Sequence, residues 1–175
     1  MVIDMKTEAS IEELRRIGKV LEEKDTTNAA LWLNQESFGV AYRFMLRYIR
    51  SYRSVAYRAL VTLNQKDESI GVEDFVRISD EFGRVINHSL RKSDVMMQSK
   101  PNQFFLLLPE LSEENIESVF ARIRNEWKKT DYYDKTTIRF DAELVKSVEE
   151  VVEDKRDYGR VNIVPYNYFD KKIDE

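Results

Sequence analysis

The stretch that decides the fold is Asp94-Val-Met-Met-Gln-Ser-Lys-Pro-Asn-Gln-Phe-Phe-Leu-Leu-Leu-Pro109. A short apolar run at 95–97 leads into a polar segment that contains Pro101 and Asn102, and a five-residue apolar run at 104–108 follows. Two apolar runs joined by such a segment predict a β-hairpin. Because residues 104–108 do not alternate between apolar and polar, we expect this strand to be covered on both faces, at the centre of a sheet.

Helical and strand patterns continue on both sides of the hairpin. An amphipathic helix is predicted over about 72–90, and a second helix, which Ser112 can cap, ends near Trp127. The β-branched and apolar run at 55–63 predicts a strand, and the alternation at 136–146 predicts a strand with one wet face, at an edge of the sheet. The order is therefore β-α-β-β-α-β, an α+β ferredoxin-like split βαβ core, which hosts many unrelated functions. Behind it we expect an acidic segment over 147–157, at most briefly helical, and a small strand over 159–164.

Two more helices are predicted in front of this core, at about 10–24 and 34–54. We therefore divide the chain into an N-terminal helical extension, 1–24, and a domain, 25–175. The first helix is either a stalk or dimerising helix or packs on its own domain. The second carries arginines that could mark a phosphate or nucleic-acid patch or a solvated face, and the acidic balance of the chain favours the solvated face: Arg43, Arg47, Arg50 and Arg53.

Composition excludes several classes of function. The chain has 175 residues and a formal net charge of −4, which argues against general nucleic-acid binding. No apolar run approaches the length of a membrane span, and the N-terminus lacks the apolar core of a signal peptide, so a cytoplasmic location without membrane contact is expected. Because there is no cysteine and the one histidine is His88, thiolate-zinc sites, thiol catalysis and histidine metal clusters are excluded or disfavoured. We predict no cofactor and no metal site.

Three stretches, in order, resemble the GGDEF domains of the diguanylate cyclase family. Residues 34–38, Asn-Gln-Glu-Ser-Phe, resemble the Asn-Arg-Arg-Ala-Phe that opens such domains. Arg91-Lys-Ser-Asp94 resembles the Arg-x-x-Asp that precedes their signature, and residues 100–104 stand where Gly-Gly-Asp/Glu-Glu-Phe would be. Residues 155–161 resemble the Lys-x-x-Gly-Arg-Asn-Arg-Val that closes them. The resemblance covers roughly 25–164 and implies the same element order as the periodicity.

In that family, the resemblance implies, carboxylates hold the metal ions that neutralise two GTP molecules, and glycines let the backbone approach the nucleotide. Here the family's Asp-x-Asp aligns with Thr62 and Asn64, and the helix that contacts guanine is shortened to the loop 65–71. The signature is replaced throughout, by Lys100, Pro101, Asn102, Gln103 and Phe104. The resemblance therefore implies a bacterial pseudo-diguanylate cyclase, a degenerate signalling domain without catalytic residues.

One element of the family pattern is retained. The resemblance implies that Arg91 and Asp94 form an inhibitory-type site for cyclic di-GMP, although a nearby arginine of the family is here Gln98. The alternative is structural, because an arginine in the last turn of a helix and an aspartate in a turn are both favoured locally.

Three functions remain open at this point. The first is an inactive GGDEF-like domain that acts in signal transduction by binding an unknown protein partner or cyclic di-GMP, with homodimerisation as an option. The second is an active nucleotidyl cyclase with a rebuilt site, for instance at Glu73, Asp74 and Asp80. The third, which the acidic balance disfavours, is an RNA-binding module that uses Phe104 and Phe105.

Overall fold

The computed structural model describes residues 8–24 and 27–145. Within them lie four α-helices: α1 (Glu8–Leu21), α2 (Gln35–Tyr52), α3 (Val72–Ser89) and α4 (Glu113–Trp127). The same residues form five strands: β1 (Leu31–Trp32), β2 (Ala56–Gln65), β3 (Val95–Lys100), β4 (Gln103–Pro109) and β5 (Thr136–Val145). A short 3-10 helix, Tyr133–Lys135, precedes β5. The predicted order β-α-β-β-α-β is confirmed as β2-α3-β3-β4-α4-β5.

The strands form one sheet in the order β1-β3-β4-β2-β5. Every neighbouring pair is antiparallel except β1 and β3, which are parallel. The hairpin strand β4 lies at the centre, and its residues Phe104, Leu106 and Leu108 are completely buried. This confirms the expectation drawn from its unbroken apolar run. Within the described residues β5 pairs only with β2, as predicted for an edge strand.

The sheet separates two hydrophobic cores. The larger one lies under α3 and α4 and includes Phe82, Phe104 and Trp127. The smaller one lies under α2 and includes Phe38, Ile49 and Leu107. The β4 residues alternate between the two cores, which explains why this strand needs apolar side chains at successive positions.

Strand β1 was not predicted. It is held by backbone hydrogen bonds from the Leu31 amide to the Asp94 carbonyl (3.0 Å) and from the Leu33 amide to the Met96 carbonyl (2.9 Å). Its Trp32 meets Phe104 edge to face, with ring centroids 6.0 Å apart. A two-residue strand has no periodicity for sequence to reveal, and only its pairing with β3 defines it.

The starts of α2, α3 and α4 follow the predicted positions, whereas α1 begins at Glu8, before its predicted start at about residue 10. Asn34 is the N-cap of α2 and accepts a hydrogen bond from the Ser37 amide at 2.9 Å. Ser112 is the N-cap of α4, but its hydroxyl accepts from the side-chain amide of Asn115 at 2.8 Å and makes no capping bond to the backbone. The segments expected over 147–157, 155–161 and 159–164 lie outside the described residues.

Helix α1 has the amphipathic pattern that the sequence predicts, with its apolar side chains exposed. Leu14 is 64% exposed and Leu21 is 79% exposed. Ile17, one turn from each, is also exposed. In the part of the chain that the structure describes, the apolar stripe of α1 therefore lies open to solvent.

Candidate functional site

The tip of the β3–β4 hairpin is a tight turn held together by side-chain hydrogen bonds. A β-bulge at Ser99 interrupts the register between Gln98 and Lys100. The Ser99 hydroxyl donates toward the Gln103 carbonyl (3.3 Å) and the Gln103 Oε1 (3.0 Å). The side-chain amide of Gln98 donates to the Pro101 carbonyl at 2.8 Å. The bulge bends the chain more sharply at this point. The side chains of Gln98 and Ser99 then donate hydrogen bonds to residues of the same turn.

The tip is also bonded to β2. The Asn102 Nδ2 donates to the Leu63 carbonyl at 2.8 Å, and the Leu63 amide donates to the Asn102 carbonyl at 2.9 Å. One residue further, Gln103 pairs with Thr62 in the strand register, and its Nε2 donates to the Thr62 hydroxyl at 3.2 Å. The amides of Asn102 and Gln103 are therefore engaged within the protein.

These positions do not fit a divalent metal ion. The resemblance places metal ligands at Thr62, Asn64, Asn102 and Gln103, and these side chains are neutral hydroxyls and amides. Magnesium is a hard cation that is held through carboxylate oxygens and substrate phosphates. Within residues 8–24 and 27–145, no group of three or more acidic, histidine or cysteine residues is placed to hold a metal ion.

The three carboxylates considered for a rebuilt site do not share a common contact. Glu73 and Asp74 are exposed in the first turn of α3, and Asp74 pairs with Arg77 at 2.9 Å. Asp80 is partly buried two turns later and lies 3.4 Å from the side-chain amide of Gln98. Asp80 is thus the one of the three that contacts the hairpin.

An open cleft of about 600 Å³ lies between the end of β2 and the start of α3. The loop 66–71 forms part of it, and its wall includes Ile70 and Phe75. The residues that line it include the carboxylates Asp67 and Glu68 and the cation Lys66, and the positive charge of Lys135 also acts on Asp67. Hydrogen bonds from the Ser69 hydroxyl and amide hold the pKa of Asp67 below its usual range, so this carboxylate stays charged near neutral pH. The cleft therefore offers a nucleoside triphosphate no cluster of positive charge.

Arg91 and Asp94 are brought together in the turn between α3 and β3. The Asp94 side chain is 0% exposed. Its Oδ2 accepts from the Arg91 backbone amide at 2.7 Å, and its Oδ1 accepts from the Arg91 Nη2 at 2.9 Å. The same Nη2 donates to the Pro109 carbonyl at 2.7 Å. The pair thus joins the start of β3 to the end of β4.

This geometry gives the pair a structural function. A buried carboxylate is tolerated when its oxygens are hydrogen-bonded and its charge is paired, and both oxygens of Asp94 are engaged. The Arg91 side chain is 42% exposed, and its Nη1 makes no hydrogen bond within the described residues. A ligand at this position would meet Arg91 and not Asp94.

The remaining sequence candidates are placed as follows. His88 is exposed, and its Nδ1 lies 2.8 Å from the Arg84 carbonyl one turn earlier on α3. Phe104 is buried against Trp32 and Phe82, and Phe105 packs edge to face on Phe38. Neither phenylalanine forms an exposed platform on which a base could stack.

Comparison with solved structures finds diguanylate cyclases and GGDEF domains. The diguanylate cyclase SiaD from Pseudomonas aeruginosa, in complex with its activator SiaC, has a TM-score of 0.61 at 16% identity over 80% of this chain and 57% of that chain. The GGDEF domain of DgcB from Caulobacter crescentus, in complex with c-di-GMP, has a TM-score of 0.57 at 10% identity over 72% and 82%. A DGC protein from Thermotoga maritima has a TM-score of 0.53 at 9% identity over 67% and 82%.

These likenesses establish the class of fold. The described chain is a mixed α+β domain with the GGDEF, or nucleotidyl cyclase, fold. No protein-family model matches the sequence, and no curated protein sequence matches it. None of the described helices is long and apolar enough to cross a membrane.

Proposed function

We propose that this protein is a catalytically inactive, GGDEF-like regulatory domain that acts by binding a protein partner. The observation that carries the proposal is the hydrogen-bonded closure of the hairpin tip onto β2. Gln103 bonds to Thr62, and Asn102 bonds to Leu63, with neutral groups throughout. Metal-assisted nucleotidyl transfer needs negative charge at these positions to hold the ions that stabilise the phosphates.

The cleft beside the tip supports the same proposal. Its lining combines the carboxylates Asp67 and Glu68 with one cation, Lys66, so it lacks the cluster of positive charge that would hold the phosphates of GTP. The alternative of a rebuilt cyclase requires several carboxylates close together, and Glu73 and Asp74 are exposed on α3 while Asp80 faces Gln98. These placements favour the inactive domain over the rebuilt enzyme.

Incubation of the protein with GTP and either magnesium or manganese, followed by product analysis, tests the inactive assignment. We expect no cyclic di-GMP and no other turnover product. A product that forms with either metal, and disappears when Asp80 is changed to Asn, would instead establish the rebuilt enzyme.

The exposed apolar stripe of α1 supports binding to another helix. Leu14, Ile17 and Leu21 recur at spacings of three and four residues, the pattern of a helix that packs on a partner helix. SiaD, a structure of the same fold, is seen with an activator protein. We propose a helical partner surface, with a second copy of this chain as the first candidate.

Sedimentation equilibrium tests this surface. We expect concentration-dependent association that is lost when Leu14 and Leu21 are both changed to Ser. Val40→Ser is the matched control, because Val40 is an exposed apolar residue on α2 rather than α1. If the protein is monomeric at every concentration, the homodimer hypothesis is wrong and the partner of α1 is a helix of a different protein.

Cyclic di-GMP is the second candidate ligand, on the free Nη1 of Arg91. Calorimetric titration of the native protein with cyclic di-GMP tests it directly. Heat that disappears in Arg91→Lys would support the site, since lysine keeps the positive charge but lacks the planar fork. If the native protein gives no heat of binding, the cyclic di-GMP hypothesis is wrong, and the proposal of a protein partner is unaffected.

A further inference from the structure

Helix α2 carries an outward-facing row of positive charge. Three arginines on the helix and the arginine at its C-cap are all exposed: Arg43, Arg47, Arg50 and Arg53. No acidic residue occurs from 37 to 66, so nothing on the helix itself beyond Glu36 offsets these charges. Like charges one turn apart destabilise a helix, and a row of them is therefore favoured when an anionic group lies nearby.

A carboxylate does lie at the end of α2, where Glu110 accepts a hydrogen bond from the Ser54 hydroxyl, but it does not pair with the arginines. None of the four arginines forms an ion pair within residues 8–24 and 27–145. The next arginine, Arg58 on β2, behaves differently. Burial lowers the pKa of Arg58, but hydrogen bonds with Glu143 and Tyr42 raise it by more, and this arginine is fully paired.

The chain leaves the described region close to this arginine row. Val145, the last residue of β5, pairs with Ala56, and Ala56 follows the α2 cap Arg53 by three residues. The sequence then continues with four carboxylates in six residues: Glu149, Glu150, Glu153 and Asp154. Four residues of chain span at most about 14 Å, so Glu149 is within reach of the last turn of α2.

We propose that the acidic segment 149–154 binds the arginine face of α2 in the same chain. The proposal rests on the charge complementarity of the two segments and on the exit point of the chain beside the C-terminal end of α2. The arginine face of α2 binds a segment of the same chain, whereas the apolar stripe of α1 binds a partner helix, so the two proposals are independent.

The absence of cysteine makes a proximity test clean, because two introduced cysteines are the only thiols. In the full chain, Ser51→Cys places a thiol on the exposed face of α2, one turn from Arg47, and Val151→Cys places the other between the glutamates. Both changes leave every charge in place. The matched control combines Val151→Cys with Val72→Cys, which also changes no charge, because Val72 is exposed at the start of α3, beyond the end of β2 that lies away from Ala56.

We expect the Ser51/Val151 pair to form a disulfide about tenfold faster than the control pair, as a raised effective concentration requires. Adding Arg43→Glu and Arg47→Glu should remove this difference. Restoring opposite charge with Glu149→Lys and Glu150→Lys should bring it back. Equal rates in the two pairs, or a fast rate that ignores the charge reversal, would overturn the proposal, and circular dichroism verifies that each variant is folded.

Discussion

The side-chain amide of Gln103 donates a hydrogen bond to the hydroxyl of Thr62 across strands β4 and β2, at 3.2 Å. The two residues are direct partners in the strand register. They also stand at two of the positions where the resemblance would place metal-binding carboxylates. This hydrogen-bonded pair is neutral and has no charge to offer a metal ion, so replacing both residues with carboxylates tests whether these positions can hold one.

Changing Thr62 to Asp together with Gln103 to Glu should create a manganese-dependent stability. The two carboxylates would repel each other until a cation lies between them, and ligand bound to the native state alone stabilises it by about 1.4 kcal/mol at ten times the dissociation constant. We expect manganese to raise the melting temperature of this variant by roughly 2–6 °C, measured by circular dichroism. Thr62→Asn with Gln103 unchanged is the neutral control, and an unshifted melting temperature in the double variant would contradict the prediction.

Asn102→Ala should lower the free energy of unfolding by about 1 kcal/mol, the net value of a hydrogen bond. The change removes the bond from the Asn102 side chain to the Leu63 carbonyl. Lys100→Ala, at an exposed position of the same tip, is the control and should stay within about 0.5 kcal/mol of the native protein. Urea unfolding followed by circular dichroism measures both, and equal effects would show that the tip is not fastened to β2 through Asn102.

Arg91→Ala should destabilise the fold by about 2–3 kcal/mol, because it leaves the buried Asp94 carboxylate without its charged partner. The double variant Arg91→Ala/Asp94→Asn should recover part of this loss, since it removes the unpaired charge as well. Urea unfolding of the native protein, both single variants and the double variant gives the coupling energy. A coupling near zero would show that Arg91 does not stabilise Asp94.

Asp67 should make a small contribution to stability that depends on pH. Because its pKa is lower in the folded than in the unfolded chain, its contribution is present above the unfolded pKa and is lost as the pH falls through the folded pKa. Ser69→Ala, which removes the hydroxyl donor, should therefore be less stable than the native protein at neutral pH, and the difference should vanish in acid. Urea unfolding as a function of pH measures this, and a difference that grows toward acid would have the wrong sign.

Sequence predicts the long elements because their apolar periodicity extends over many residues. The strand β4 and the helices α3 and α4 were assigned within a few residues for this reason. The strand β1 was missed because two residues carry no period. Gly83 shows the same limit inside a helix, since only the folded structure reveals that a side-chain carbon there would lie 2.6 Å from Trp32 and 2.7 Å from Phe104.

The candidate site was predicted less completely than the fold. The spacing of Arg91 and Asp94 correctly suggests that they lie together, but whether they serve a ligand or a turn depends on burial, and Asp94 is 0% exposed. The bonds of Gln98, Asn102 and Gln103 depend on a β-bulge and on strand register. Both arise from tertiary pairing, which a single sequence does not display.

The two tryptophans of the sequence lie on one side of the sheet. Trp127 is part of the core under α3 and α4, and Trp32 packs against that same core. The core under α2 is lined by other side chains, Phe38 and Tyr42 among them. Intrinsic tryptophan fluorescence will therefore report melting of the α3–α4 side alone. An early detachment of α2 would be silent in emission and visible as lost helical ellipticity, so two optical probes on one sample can tell whether the two faces of the sheet unfold together.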